Sequence, residues 1–536
     1  SKCAFDLNHR ELPFGAAIKP LWEPSRWYGP VRLAQACWLL GNRRSGELAL
    51  DWLEDWVEKY PPYIGWHWTS ALETGMRLVA FTWIDAFLTA FEAEAPGDLA
   101  KRLVKLREQV LLPHACYTWR HRSFGSSANN HLIGEISGLA LAVARWPGLA
   151  KLGATPVKLS SMLERETLTQ FHPDGGNFEQ ALNYHFYSWE FCWEARQALE
   201  AVGGMNAAQR ERIDGRLGQA ARYFREIQVP SAPWDYGDSD DAYVCPWFVD
   251  EIKAAREWWQ WLAGDETESA FYHFIRGKAS DSLTQPEIKR EQGGWRVFPE
   301  TGFVVNSLGH WKARVDFSPL GSGSMAAHGH LDAQHLSLWL KGRAMVIDPG
   351  TGDYHGNPKL RNWLAGREVH NGPNAASVSL AKREGPFLWG GIHPKPLWSF
   401  DGEIFEIELR VGPGALSRTI KPIPGDREGW QVRDSFEETL GQAGPFTVRW
   451  QFAPDCQVDR SGDRAFRVSS ESSVMKVELG AGWAGAELWQ PDGTETVNNL
   501  DGVVSPRFMK TVHAPYLRLM AKPGGSTDFK TTFSAE

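Results

Sequence analysis

Between Pro24 and about Arg276, apolar residues recur at steps of three and four, in blocks separated by short Gly, Pro, Asn and Asp punctuation. Such blocks predict stacked helical hairpins. Val31 to Leu40 stops at Gly41-Asn42, Leu48 to Val57 stops before Pro61-Pro62, and Ser70 to Ala90 follows the Trp66-His67-Trp68 loop. Beyond about Leu283 the period shortens to two. Gly302 to Val305, Trp311 to Phe317, Leu336 to Leu340, Phe446 to Phe452 and Val474 to Leu479 read as strands between Gly-rich turns. Helices segregated from strands predict an α+β multidomain chain with separate layers, not a doubly wound sheet. The polar, aperiodic stretch Lys278 to Gly293 reads as the linker, giving a helical domain over 1–280 and a sheet domain over 281–536. A chain of 536 residues exceeds the size at which one hydrophobic core stops growing, which agrees with two domains.

Composition adds one departure from globular averages: 27 tryptophans, among them Trp22, Trp27, Trp66, Trp68, Trp258, Trp259 and Trp261. Most are expected in the core, but their rings also stack on sugar faces. A net charge of -8 gives no reason to expect nucleic acid or an anionic membrane surface as a partner. It leaves room for an acidic glycan on a locally basic cleft, and His114, Arg120, His121 and Arg122 form such a cluster. The six cysteines, Cys3, Cys37, Cys116, Cys192, Cys245 and Cys456, lack CxxC spacing and are expected as small buried residues. No apolar run is long enough to span a bilayer. The chain opens at Ser1 without a charged-then-apolar leader, and is expected to be a periplasmic or secreted protein whose leader has been removed.

Three segments are dense in Asn, His, Tyr, Asp and Gly. Ser126 to Glu135 leads into the apolar helix Leu132 to Trp146, placing Asn130 and His131 at a helix start, where free N–H groups favour an anion; a plain Asn cap is the alternative. Asp174 to His185 enters a second helix that continues to Leu199, and its spacing places Gln180, Tyr184, Tyr187 and Phe191 near one face. The third segment joins His328-Gly329-His330-Leu331-Asp332-Ala333 to Asp348-Pro349-Gly350 and to His370-Asn371. Imidazoles and a carboxylate on neighbouring strand ends suit a divalent ion, or else are hydrogen-bonded turn residues.

In their order, these segments resemble the heparinase II/III-like superfamily of polysaccharide lyases, which includes heparinases, alginate lyases and broad glycosaminoglycan lyases. The resemblance covers nearly the whole chain. It implies an N-terminal (α/α) toroid followed by a C-terminal antiparallel β-sandwich-like domain, with a cleft where the two meet. It implies a carbon–oxygen lyase that cuts beside a uronate by β-elimination, releasing unsaturated oligosaccharides. By position, Asn130 and His131 would neutralise the C6 carboxylate, Tyr184 would act as acid and also as base, and His328 would be the other proton-transfer group. His330, Asp348 and His370 would bind one mainly structural divalent ion, zinc first, with manganese or calcium as alternatives. Arg120, Arg122, Gln180, Trp66 and Tyr354 are the substrate-binding candidates.

The chemistry accounts for these residue types. Removing the weakly acidic C5 proton pushes charge into the uronate carboxylate, where donors already in place lower the barrier. A base takes that proton and an acid protonates the departing O4. If both leave one face, Tyr184 serves twice; if they leave opposite faces, His328 takes the proton and Tyr184 gives one. Glycosaminoglycans such as hyaluronan, chondroitin sulfate and heparan sulfate stand ahead of alginate or a bacterial exopolysaccharide, with specificity residing in loops outside the shared motifs. One rival is an (α/α) glycoside hydrolase using two of Glu73, Glu179 and Asp238. Another is a non-catalytic glycan-binding protein, favoured if Tyr184 is buried away from the cleft.

Overall fold

The computed structural model describes residues 2–8, 12, 16–229, 231–244, 294–321, 323, 326–375, 381–391, 394–411, 414–424, 428–438, 445–495, 499–521 and 529–536. The expected linker at 278–293, the domain boundary at 280, Cys245 and Trp258, Trp259 and Trp261 lie outside the described residues. The described residues fall into two compact units: those within 1–173, 186–221 and 242–244 in one, those within 174–185, 222–241 and 294–536 in the other. Helices fill the first and strands the second, in the order the periodicity predicts.

In the helical unit the expected blocks appear as Tyr28–Leu40, Arg43–Lys59 and Ala71–Glu94. Gly41 ends the first of these at φ 65°, the left-handed C-cap that suits a residue without a Cβ. Asn42 starts the next by accepting the Ser45 N–H. Ala71–Glu94 and Asn130–Arg145 are both largely buried and meet backbone to backbone, since a Cβ on Gly138 would fall 2.4 Å from the Gly75 carbonyl oxygen. Trp27, Trp68 and Trp189 are among the largest fully buried side chains, so these tryptophans serve the core. No helix among the described residues is long and apolar enough to cross a membrane.

The strand-rich unit opens with a five-stranded antiparallel meander over residues 294–346. An eight-stranded and a four-stranded antiparallel sheet follow. Strands such as Ser473–Leu479 bury alternate residues, the signature of a sheet packed on one face. Trp311, Trp339, Trp430, Trp450 and Trp483 anchor the shared core. Two segments that a single cut near 280 would assign to the helical half belong here. Asp174 explains the first: its carboxylate accepts the N–H groups of Glu300 and Thr301 and the Thr301 hydroxyl. Cys37, Cys192 and Cys456 are buried free thiols, while Cys3 and Cys116 are partly exposed.

Candidate functional site

Residues 236–241 dock against the start of helix Leu182–Ala201: the Leu182 N–H donates to the Tyr236 carbonyl (3.1 Å), and the Asp240 N–H to the Asn183 side chain (3.4 Å). Only glycine fits at 237, where φ is 63° and a Cβ would lie 2.1 Å from the Gln180 carbonyl oxygen. This close approach places Asp238 beside Tyr184 and the 326–330 turn. His328 itself has φ 64°, and its N–H is held by the Phe387 carbonyl (3.1 Å). The Asp238 N–H donates to the His328 carbonyl (3.2 Å), so the carboxylate and the imidazole are joined through both main chain and side chain.

Within the strand-rich unit the Tyr184 and His328 rings lie 4.4 Å apart. The Tyr184 hydroxyl is 2.8 Å from that of Tyr354, and both tyrosines are buried. His328 Nδ1 is 3.0 Å from Asp238 Oδ2, and its Nε2 is 3.5 Å from Glu179 Oε2. Burial, reinforced by the Asp238 charge, pushes the Tyr184 hydroxyl well above its ordinary range and keeps it protonated, the form of an acid. Tyr184, expected from the helical half, thus belongs to the unit that supplies His328. Gln180 precedes the helix in a left-handed conformation, so the face expected to join it to Tyr184, Tyr187 and Phe191 does not form. Its buried side-chain amide donates to the Thr301 carbonyl (3.0 Å). In the other unit, the Tyr187 hydroxyl donates to Met76 Sδ (3.3 Å) and its ring packs on Phe191.

One ligand atom from each of His330, Asp348 and His370 lies within 4.8 Å of the others. His330 Nδ1, Asp348 Oδ2 and His370 Nε2 are all buried without a hydrogen-bond partner. Three orphaned buried acceptors facing one point are costly unless something positive joins them. Their other atoms are held: His330 Nε2 by Asp238 (3.0 Å), His370 Nδ1 by the Gly366 carbonyl (2.6 Å), and Asp348 Oδ1 by the Gly350 N–H (2.8 Å). Burial holds both histidines down at about 4, in the neutral form that ligates. These residues fit a divalent ion with two nitrogens and one oxygen.

In the helical unit the cap of helix Asn130–Arg145 is Asn129, whose side chain accepts the His131 N–H (3.2 Å). The plain-cap alternative for Asn130 therefore falls away. Asn130 is buried in the first turn and His131 is partly exposed. Trp66 is also partly exposed, and its carbonyl accepts the Trp22 indole N–H (2.9 Å). The basic cluster loses His114, a buried side chain between Arg77 Nε (3.0 Å) and the Val110 carbonyl (2.7 Å) and held well below its usual value by burial. Arg120 and His121 are exposed, and the Arg122 guanidinium lies over the Trp119 ring and donates to the Trp119 carbonyl.

The carboxylates of the hydrolase rival are differently committed. Glu73 is buried and accepts both Nε and Nη2 of Arg26 (3.0 and 2.6 Å). Asp238 accepts from two histidines and has Arg361 Nη2 at 2.5 Å. Burial opposes ionisation of Asp238, but Arg361 and these hydrogen bonds win and hold it far below the usual carboxylate range. A carboxylate so held does not supply a proton. The sequence offers Asp238 only as a carboxylate for the hydrolase rival and gives it no place beside His328. Arg361, in the short helix Pro358–Leu364, carries no local signal at all.

Two family models match the chain: heparinase II/III N-terminus over residues 26–260, and heparinase II/III-like, C-terminal over residues 291–519. A heparin-sulfate lyase of Bacteroides stercoris is 22% identical over 375 residues, covering 66% of this chain and 50% of that protein. The chain therefore spans about half the length of this curated relative. Among solved structures, a heparinase III matches with TM-score 0.69 and 15% identity, over 99% of this chain and 79% of that one. A heparan sulfate lyase of Pedobacter heparinus matches at 0.58 and 16%, over 99% and 78%. A Streptomyces coelicolor chondroitin AC lyase in complex with chondroitin sulphate matches at 0.54 and 12%, over 98% and 76%. At these identities the structural likeness speaks for the fold, a helical toroid region followed by an antiparallel sheet region, as the motifs implied.

Proposed function

This chain belongs to the heparinase II/III-like family, and from that premise we propose that it is a polysaccharide lyase cleaving uronate-containing glycosaminoglycans by β-elimination. The observation that carries the reading is the buried cluster of Tyr184, Tyr354 and His328, with the two hydroxyls 2.8 Å apart and the tyrosine ring 4.4 Å from the imidazole. A protonated phenol beside an imidazole is the acid and base pair that elimination needs. Tyr184 gives its proton to the departing O4, and Tyr354 holds the phenol in place. His328 Nε2 takes the C5 proton, and the Glu179 carboxylate 3.5 Å away stabilises the imidazolium that forms. Asn130 and His131 are assigned to the C6 carboxylate, where charge gathers as the C5 proton leaves. Arg120, Arg122 and Trp66 are assigned to binding of the acidic polymer.

His330 Nδ1, Asp348 Oδ2 and His370 Nε2 would hold one divalent ion, zinc by preference for a two-nitrogen, one-carboxylate set. Its role in this reading is to tie residues 330, 348 and 370 together. A substrate too large to enter a cell fits a periplasmic or secreted setting.

A panel of heparan sulfate, hyaluronan, chondroitin sulfate and alginate, followed by ultraviolet absorbance of the unsaturated product, tests the reading. New reducing ends without absorbance would mean hydrolysis, and binding without cleavage would mean a glycan-binding protein.

A further inference from the structure

Asp238 lies between the residue assigned to proton transfer and a residue assigned to the metal. Its Oδ2 is 3.0 Å from His328 Nδ1 and its Oδ1 is 3.0 Å from His330 Nε2. All three side chains are buried. An ionised carboxylate only accepts hydrogen bonds, so each nitrogen within hydrogen-bond distance of it must carry a hydrogen; Glu179 Oε2, at 3.5 Å from His328 Nε2, stands beyond the usual N–H···O range and demands none there. Arg361 Nη1 also approaches His330 Nε2, at 3.3 Å. That contact is the longer one, and a bare Nε2 would set its lone pair against a carboxylate oxygen at 3.0 Å. The hydrogen therefore belongs on Nε2.

The geometry points to Asp238 as a positioning residue shared by two histidines: it fixes the Nδ1–H tautomer of His328 and the Nε2–H tautomer of His330, leaving His328 Nε2 and His330 Nδ1 as lone pairs. What the His328 lone pair does rests on the lyase reading above; the two tautomers rest on the geometry alone. The lone pair on His330 is the orphaned Nδ1 of the three-ligand cluster. The lone pair on His328 is the atom that would take the C5 proton. One carboxylate thus orients the two rings without touching a substrate or an ion, the way outer partners set imidazole tautomers in metal and acid–base sites. The docking of residues 236–241, through Gly237 and the Asp238 N–H to the His328 carbonyl, keeps both oxygens in register.

Asp238→Asn separates the two duties because an amide has only one acceptor. Arg361 brings only donors to Oδ1, so the amide oxygen stays on the side of Arg361 and His330. The amide NH2 then turns to His328 Nδ1 and drives the hydrogen to Nε2. The expected result in the zinc-loaded protein is a changed tautomer at His328 with the metal kept. Nitrogen-15 spectra of histidine-labelled protein read this directly, with the His328 signals identified by their loss in His328→Gln. Wild type should show Nδ1–H, and Asp238→Asn should show Nε2–H. Zinc affinity, by competition with a chelator, should stay within about tenfold of wild type, and turnover of the glycan cleaved best should fall by about 100-fold or more with little change in KM.

The proposal is overturned if wild-type His328 carries its hydrogen on Nε2, or if Asp238→Asn keeps both the tautomer and the turnover. It is equally overturned if the variant keeps the His328 tautomer while losing zinc, since Asp238 would then serve only the metal. If the variant does not fold, the wild-type spectrum decides. If no glycan yields an unsaturated product, the lyase reading fails by itself, and the spectra with the zinc competition still judge Asp238.

Discussion

Replacing Tyr184 by Phe removes one oxygen from the buried pair of hydroxyls 2.8 Å apart and leaves the ring against His328 in place. Two effects follow, and their sizes differ. Stability loses one buried neutral hydrogen bond, worth about 0.5–1.5 kcal/mol, because the Tyr354 hydroxyl is left without this partner. Turnover loses the proton donor for the leaving O4, and a general acid contributes about 100-fold or more, so the barrier should rise by about 2.7 kcal/mol at least. Tyr354→Phe breaks the same hydrogen bond from the other side. The two variants should therefore unfold at similar denaturant concentrations, while Tyr184→Phe loses at least about tenfold more kcat than Tyr354→Phe and leaves KM nearly unchanged. Equilibrium unfolding and initial rates of absorbance gain on the same preparations supply both readouts. Tyr184→Phe activity within about tenfold of wild type, or equal loss of kcat in the two variants, would refute the assignment, because the hydroxyl would then only pack.

Elemental analysis of carefully purified protein should find one zinc per chain, and His370→Ala should lose it and lower the thermal midpoint; absence of any stoichiometric divalent metal would remove the ion from the site. Burial pushes Glu135 up to about 8 against the opposing Ser123 N–H and hydroxyl at 2.7 and 2.6 Å. The folded state thus holds a proton the unfolded chain gives up near 4.5, so this stabilising contribution is complete below about 4.5 and is lost as pH rises to about 8. Glu135→Gln should flatten the fall in unfolding free energy between those values, and an unchanged slope would show that Glu135 is ionised in the fold. Replacing exposed Arg120 together with Arg122 should raise KM for a sulfated glycan at low salt and weaken its salt dependence more than it lowers kcat. A double variant whose KM equals that of wild type at both low and high salt would return both arginines to a solvated surface role. Arg122→Ala alone should also loosen the Trp119 ring on which its guanidinium lies.

The change of hydrophobic period from 3.6 to 2 was enough to order helices before strands, and glycine punctuation such as Gly41 located helix ends, because burial of one face acts over a few neighbouring residues. The motif segments also held the three residues that the fold clusters, His330, Asp348 and His370, residue types whose chemistry is visible without coordinates. The same local reasoning mistook His114 for part of a surface cluster, since a helix ending in basic residues does not reveal which of them turns inward. It extended a helical face back to Gln180, where a left-handed backbone conformation breaks the periodicity on which the inference depended. It placed residues 174–185 in the helical domain, whereas Asp174 binds the 300–301 turn more than a hundred residues later, a reach that no spacing rule covers. Asp238 and Arg361 show the limit most clearly. By itself the sequence determined which side chains could move a proton or hold an ion; only the tertiary structure decided which carboxylate faces which nitrogen. That choice turns on a close backbone approach at Gly237 and on contacts between segments about a hundred residues apart, which the chain sets only once it is folded.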